Sequence, residues 1–239
     1  MKQTLFLVLA VTLISTAFGQ TKKDWSKVAV STAGDHFMIS ISNDGWGGAP
    51  DSISSRMGGF SRGLNVAFML NKPFKSDARW SVAFGLGISH SSIFFKSTNV
   101  NLKSTATQLP FNSLDSANHF KKYKLANTYA EAPIEIRYTV NPVNEKKSWK
   151  FALGLKVGAM INAHTKGKTL ENKSNTAIDY FTEKESKKTF FNGTRLAATA
   201  RVGLGNFSLF GSYSITSLLT DVAGPALRPY QVGLCISGL

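Results

Sequence analysis

The ionisable residues best placed to do chemistry are two glutamates, Glu131 and Glu135, in the stretch TYAEAPIEIRY. If this stretch is a β-strand, both side chains lie on one face. Four residues at about 3.3 Å each then separate them by about 13 Å. A paired-carboxylate glycosidase needs roughly 5–9.5 Å between its two acids. The spacing therefore favours a structural role, in which each acid pairs with a cation across an enclosed space.

Other catalytic or metal-binding patterns are weak. The four histidines lack ligand spacing: His36, His90, His119 and His164. Cys235 is the only cysteine, which excludes an intramolecular disulfide and a cysteine-built metal site. No G-x-S-x-G motif marks a nucleophile. The stretch DGWGGAPDS (44–52) could bind a cation, but its Gly/Asp composition is more typical of a plain external loop. We expect no enzyme activity, no metal and no cofactor.

Alternation of apolar with small or polar residues predicts strands rather than helices. The clearest case is 196–215, where two alternating runs flank Gly205-Asn206, a dipeptide suited to a tight hairpin turn. A slip in the alternation at 127–130 suggests a β-bulge. Eight strands are predicted in total: 35–43, 61–71, 79–95, 123–139, 149–164, 196–204, 207–215 and 228–239.

The connections between these strands are alternately long and short. If the strands form a ring, every long connection lies on one side; the two longest are 96–122 and 165–188. Outer-membrane barrels show this asymmetry and an even strand number. The sequence therefore predicts an all-β fold, an eight-stranded antiparallel up-and-down transmembrane β-barrel with short periplasmic turns and long external loops.

The composition of the two strand faces supports this prediction. One face is bulky and apolar, whereas the other is mostly Gly, Ala, Ser, Thr and Asn. A lipocalin-like soluble barrel would instead carry many charges on its outer face. Unpaired charges in a narrow interior are costly, so the few charges on the small-residue face are predicted to form interior ion pairs. These residues are Glu131, Glu135, Arg137, Lys156, Arg195 and Arg201.

Aromatic residues gather near the predicted strand ends, as in barrels with two interfacial girdles. The girdle near the short turns would contain Trp80, Tyr138, Trp149 and Phe207. The girdle near the long loops would contain Phe94, Phe95, Tyr123, Phe190, Phe191 and Tyr230. Strand propensity alone also enriches aromatics.

The N-terminus reads as a secretory signal peptide over residues 1–19, with Lys2, an apolar run and small residues before the cleavage site. A short membrane anchor is the alternative, although the apolar run is shorter than a spanning helix. Residues 20–34 would form a periplasmic segment and residues 35–239 the barrel. We therefore expect an exported protein integral to the outer membrane.

The net charge is +14. Because an exported protein rarely meets nucleic acid, an anionic membrane surface is the better partner. Basic residues of the predicted loops would face lipopolysaccharide phosphates, or else be simply solvated. They are Lys121, Lys122, Lys124, Lys166, Lys168, Lys173, Lys184, Lys187 and Lys188.

Five stretches resemble the PorT-like family of small outer-membrane barrels, within the broader OmpX-like group: SRGLN (61–65), TYAEAPIEIRY (128–138), LGLKVG (153–158), NGTRLAATARVG (192–203) and ISGL (236–239). The resemblance implies a non-enzymatic protein inserted by the barrel assembly machinery. It also implies possible envelope or secretion partners, as in accessories of type IX secretion. A porin-like channel and a lipocalin-like periplasmic carrier are the alternatives.

Overall fold

The computed structural model describes residues 37–58 and 60–238. The predicted signal peptide (1–19), the segment 20–34 and His36 lie outside these residues. Within them, no helix has the length and apolar character needed to cross a membrane. The strands are β1 (Phe37–Gly47), β2 (Arg62–Pro73), β3 (Trp80–Phe95), β4 (Thr98–Val100), β5 (Phe111–Ser113), β6 (His119–Thr139), β7 (Trp149–Glu171), β8 (Ala177–Ser186), β9 (Thr194–Leu204), β10 (Phe207–Ser214) and β11 (Arg228–Ser237). The short helices are α1 (Asp51–Ser54) and a 3-10 turn (Glu145–Lys147).

Eight of the strands close into a ring. The order is β1-β2-β3-β6-β7-β9-β10-β11, and β11 pairs with β1 to complete it. Every neighbouring pair in the ring is antiparallel. The predicted Gly205-Asn206 turn joins the paired residues Leu204 and Phe207, with Gly205 at φ +61°. The predicted eight-stranded up-and-down antiparallel barrel is confirmed.

The outer surface of the ring is apolar. The outward side chains of β2 are between 39% and 46% exposed: Leu64, Val66, Phe68 and Leu70. Between them, Asn65, Ala67 and Met69 point inward and are at most 8% exposed. The same alternation on β7 leaves Leu153, Leu155 and Val157 between 49% and 69% exposed. An apolar belt of this size is unfavourable on a monomer in water, whereas it is favourable in contact with hydrocarbon.

Three strands continue beyond this belt on the side of the long connections, which we call the loop side. There, β6 pairs with β3 on one side and with β7 on the other, and β8 pairs with the upper part of β7. We call this four-stranded extension the external sheet. The predicted connection 165–188 is therefore wrong in part, because most of it is a β-hairpin. The connection 96–122 likewise contains the small β4–β5 hairpin and the start of β6.

A bulge lies where the sequence predicted it, but on the neighbouring strand. The register shifts between Thr128 and Tyr129, which pair with Asn162 and Met160. Ile161 on β7 is thus the extra residue. β6 itself keeps its alternation, since Tyr129 and Glu131 both face inward and are buried. The apparent slip arises because the interior changes from polar to apolar at this level.

A hydrophobic core fills the loop-side mouth of the barrel, and we call it the plug. It is built from the upper interior of the strands and from the loops: Trp46, Ile53, Ile93, Phe95, Val100, Leu102, Leu109, Tyr123, Leu125, Tyr129, Met160, Ala163, Phe190, Phe191, Leu218, Leu219, Ala223 and Leu227. The loops therefore fold down over the mouth, because their apolar side chains can be buried only against one another and the barrel rim.

The plug corrects the predicted upper girdle. Phe95, Tyr123, Phe190 and Phe191 are 4–5% exposed and belong to the plug rather than to the membrane surface. Tyr230 is 42% exposed and stays on the outside, as does the half-buried Phe94. At the opposite end, the turn side, the predicted aromatics do lie on the surface. Trp80 packs 4.9 Å from Tyr138, ring centre to ring centre.

Candidate functional site

The middle of the barrel interior holds one of two ion-pair groups. Glu131 lies 3.3 Å from Lys156 and 3.2 Å from Arg195. Glu131 and Arg195 stand on β6 and β9, on either side of Gly158 on β7. A Cβ at Gly158 would come within 3.2 Å of the Glu131 side chain. Because glycine has no side chain, the Glu131 carboxylate has room to reach Arg195, which lies two strands away.

The second ion-pair group lies closer to the turn side. The Oε2 atom of Glu135 accepts hydrogen bonds from Arg137 Nε and Arg201 Nη2, both at 2.9 Å. The two arginines flank Ala152 in one row across β6, β7 and β9. All three charged side chains are at most 9% exposed. The structure therefore brings the six sequence-predicted charges together as two groups of three.

A third polar network crosses the interior and includes a residue that the sequence placed in a loop. Ser89 donates to Asn65 at 2.6 Å, Asn65 donates to Gln231 at 3.3 Å, and Gln231 donates to Asp44 at 2.9 Å. Ser42 also donates to Asp44. These residues join β3, β2, β11 and β1. The strand pairing that β11 offers extends β1 to Gly47, so the predicted loop assignment of Asp44 is wrong.

This correction also bears on the cation-binding interpretation of DGWGGAPDS. Asp44 is 6% exposed, and both its oxygens accept hydrogen bonds inside the barrel. Trp46 points into the plug. Across the described ranges, no group of three His, Cys, Asp or Glu side chains is arranged to hold a metal ion. The stretch is therefore part strand and part loop, with a structural role for its first acid.

The interior is filled rather than hollow. The three networks occupy the level of the apolar belt, and the plug closes the level above it. At the turn-side mouth, a cavity of about 20 Å³ lies beside Arg137, Lys150 and Arg201, which is room for about one water. Eight strands leave an interior that side chains can fill.

The external sheet separates its charges by face. Glu183 and Glu185 pair with Gly167 and Thr165 and point toward Tyr123, on the side that continues the barrel interior. The opposite side continues the lipid-facing surface, and we call it the basic face. Its cations are Arg62, Lys122, Lys124, Lys166, Lys168 and Lys184. Lys121 is not part of the basic face, and it forms an ion pair with Glu171 at 3.2 Å.

Two of the histidines meet on the basic face. The rings of His90 and His164 stack 6.5 Å apart. His119 hydrogen-bonds Asn175 at 3.2 Å, away from this pair. The sequence did not indicate the histidine contact, because His90 lies on β3 and His164 on β7. These two strands do not pair with each other, since β6 lies between them.

Ring closure, apolar belt, paired interior charges and plugged mouth together define a small outer-membrane β-barrel. Residues 19–221 match the family described as outer membrane protein beta-barrel domain. The chain belongs to this family, and its place is the outer membrane.

Solved structures of Ail, the attachment invasion locus protein of Yersinia pestis, are similar to this chain. A crystal structure of Ail in complex with the heparin analogue sucrose octasulfate is 14% identical, covers 86% of this chain and 99% of Ail, and has a TM-score of 0.37. A backbone structure of Ail in a phospholipid bilayer nanodisc is 16% identical, covers 84% and 98%, and has a TM-score of 0.32. No curated protein is significantly similar in sequence to this chain.

Proposed function

We propose that this protein is a closed, non-enzymatic outer-membrane barrel that binds another envelope protein through its external sheet. The observation that carries the proposal is the free edge of β8. In the described part of the chain, β8 pairs with β7 on one side and with no strand on the other. An unpaired edge offers a row of backbone donors and acceptors to an incoming strand.

The side chains of β8 support a contact role for this edge. Every residue of β8 except Glu185 is exposed. Tyr180 is 81% exposed, Ile178 is 52% exposed and Phe181 is 40% exposed. Exposed aromatic and aliphatic side chains at an edge invite association, which proteins usually prevent with charge or proline. The partner that fits is an extended segment of another protein, adding one strand to the sheet.

A second copy of the chain fits this edge poorly. Two β8 strands could pair antiparallel only about a two-fold axis perpendicular to the sheet. That axis would turn one barrel upside down relative to the other, which a single membrane does not allow. A different envelope protein is therefore the partner proposed. In keeping with the PorT-like resemblance of the sequence, we propose that this contact serves protein secretion of the type IX kind.

The alternative functions fit the interior less well. A channel needs a continuous water path, whereas here the ion pairs and the plug occupy successive levels of the barrel. A lipocalin-like carrier needs an apolar cavity inside and a polar surface outside, and this barrel has the reverse arrangement. A contact made through the external sheet is compatible with both the filled interior and the apolar outer surface.

Photo-crosslinking in intact cells tests the proposal. A crosslinking amino acid at Tyr180 is expected to give a discrete protein adduct, because this side chain lies on the proposed contact edge. The same amino acid at Val222, which is 68% exposed in the loop before β11, is the matched control. The adduct should disappear when Ile178→Lys places a charge on the edge. Equal labelling at positions 180 and 222, or an adduct unaffected by I178K, contradicts the proposal.

A further inference from the structure

Three lysines stand directly opposite one another on the basic face. Lys124 on β6 pairs with Lys166 on β7, which pairs with Lys184 on β8. Neighbouring strands lie about 4.8 Å apart, and like charges directly opposite one another destabilise a sheet. One row further from the membrane, Lys122 pairs with Lys168. The sheet thus carries a repulsive ladder of cations with no evident structural benefit.

No carboxylate on the described strands offsets this ladder. Two acidic residues of β8, Glu183 and Glu185, point to the opposite face. The third, Asp179, pairs with Leu170, beyond the ladder. Lys124, Lys166 and Lys184 form no ion pair with any described residue. Among the described residues, no carboxylate therefore balances the charge of these three lysines.

Two cations of the basic face are held in place before any ligand binds. Lys124 Nζ donates to Ser92 Oγ at 2.9 Å, so its ammonium bends toward the membrane. The ring of Phe94 lies 6.0 Å from that ammonium and 5.8 Å from the guanidinium of Arg62. Both cations thus contact the same ring, and such cation–π contacts restrict the two side chains. Fixed cations lose less conformational entropy on binding.

The height of the cluster indicates which anion it meets. Ser92 is four residues beyond Ile88, an outward residue of the apolar belt that is 54% exposed. Four residues span about 13 Å along a strand, or roughly 10 Å in height for a strand tilted by about 40°. The next outward residue above Ile88 is His90, which is polar and half-buried, so the hydrocarbon ends between these two residues. One headgroup layer is about 5–7 Å thick. Ser92, which accepts from the Lys124 ammonium and pairs with Arg62, therefore lies at the level of the headgroups.

We propose that Arg62, Lys124, Lys166 and Lys184 bind the phosphate groups of an anionic glycolipid in the outer leaflet. Phosphate oxygens accept several charge-assisted hydrogen bonds from lysine and arginine at once. A bound phosphate would remove the repulsion within the ladder and hold the external sheet at a fixed height over the bilayer. This role is independent of the protein contact proposed for the β8 edge.

Lipid binding by the intact barrel tests this site. The triple variant Lys124→Gln/Lys166→Gln/Lys184→Gln is compared with Lys103→Gln/Lys173→Gln/Lys187→Gln, which removes the same charge from exposed loop positions. Bound bisphosphorylated lipid A is counted by native mass spectrometry after titration in detergent. The ladder variant is expected to bind roughly tenfold more weakly, since charge-assisted contacts are lost. The control variant should bind like the wild type.

Two further arms keep the result interpretable. In detergent without lipid A, the ladder variant should be as stable as the wild type or more stable, because its like charges are gone. Dephosphorylated lipid A should bind equally weakly to all three proteins, and inorganic phosphate should not compete. Equal lipid A binding by the ladder and control variants would overturn the site. Full competition by inorganic phosphate would overturn the assignment to a lipid.

Discussion

Glu135→Ala is expected to lower the free energy of unfolding of the barrel by about 3–5 kcal/mol. The reason is that the Glu135 carboxylate is shared by Arg137 and Arg201, which are at most 9% exposed. Without the carboxylate, two guanidinium groups remain close together in a narrow interior. Removing one partner of a buried ionic group costs more than the intact group contributes, because the other charge stays desolvated.

Urea unfolding of the purified barrel, followed by its heat-dependent gel mobility, measures this effect. Glu183→Ala removes an exposed acid from the external sheet and should change the unfolding free energy by less than about 0.5 kcal/mol. Adding Arg201→Met to Glu135→Ala should recover part of the loss, because one of the two buried cations is removed as well. Glu131→Ala, which affects Lys156 and Arg195, should resemble Glu135→Ala. If either interior variant unfolds like the Glu183 control, the paired-charge account is wrong.

Trp46→Ala is expected to cost about 3–5 kcal/mol of plug stability. Trp46 is 6% exposed, and its ring lies 5.6 Å from Phe95 and 6.4 Å from Phe111. Its loss leaves a cavity between the barrel rim and the loop that carries β4 and β5. Because the plug lies above the apolar belt, the membrane-embedded strands should remain folded while the loops open.

Limited proteolysis of the external loops, with gel mobility as the measure of the folded barrel, separates these two effects. The loops of the Trp46 variant should be cleaved at least tenfold faster while the mobility shift is retained. Trp80→Ala removes an aromatic of the same type from the turn-side surface, where it is 43% exposed, and should leave cleavage unchanged. Identical cleavage of the two tryptophan variants would show that the loops are not held by a shared core.

The strands of the belt could be predicted because lipid imposes a strict alternation. On β7, each of Leu153, Leu155 and Val157 faces hydrocarbon, and the residues between them are one glycine and one lysine. The inward orientation of the two acids could be predicted as well, because Glu131 and Glu135 fall on the same strand face as the small residues. In both cases the environment of one face dictates the residue types along a single strand.

The features that escaped prediction depend on contacts between distant segments. Asp44 looks like a loop residue until β11 supplies the pairing that extends β1. Phe190 and Phe191 look interfacial, because the burial offered by the folded loops is not encoded near them. The β7–β8 hairpin lies outside the membrane, so no lipid-facing row of apolar residues marks its strands in the sequence. The basic face becomes visible only when the register places Lys124, Lys166 and Lys184 in one row.

The central claim is that bulky side chains face the acyl chains and small or polar ones fill the interior. Adjacent positions on β11 test it directly, since Leu234 is 56% exposed and Cys235 is 1% exposed. The barrel is placed in vesicles whose lipids carry a diazirine in the acyl chain. Irradiation releases nitrogen and leaves a carbene that inserts into the side chains it touches, and mass spectrometry locates the labelled residues. We predict that Leu234 is labelled in the folded barrel and that Cys235 is not. Labelling of Cys235 with Leu234 unlabelled would contradict the account.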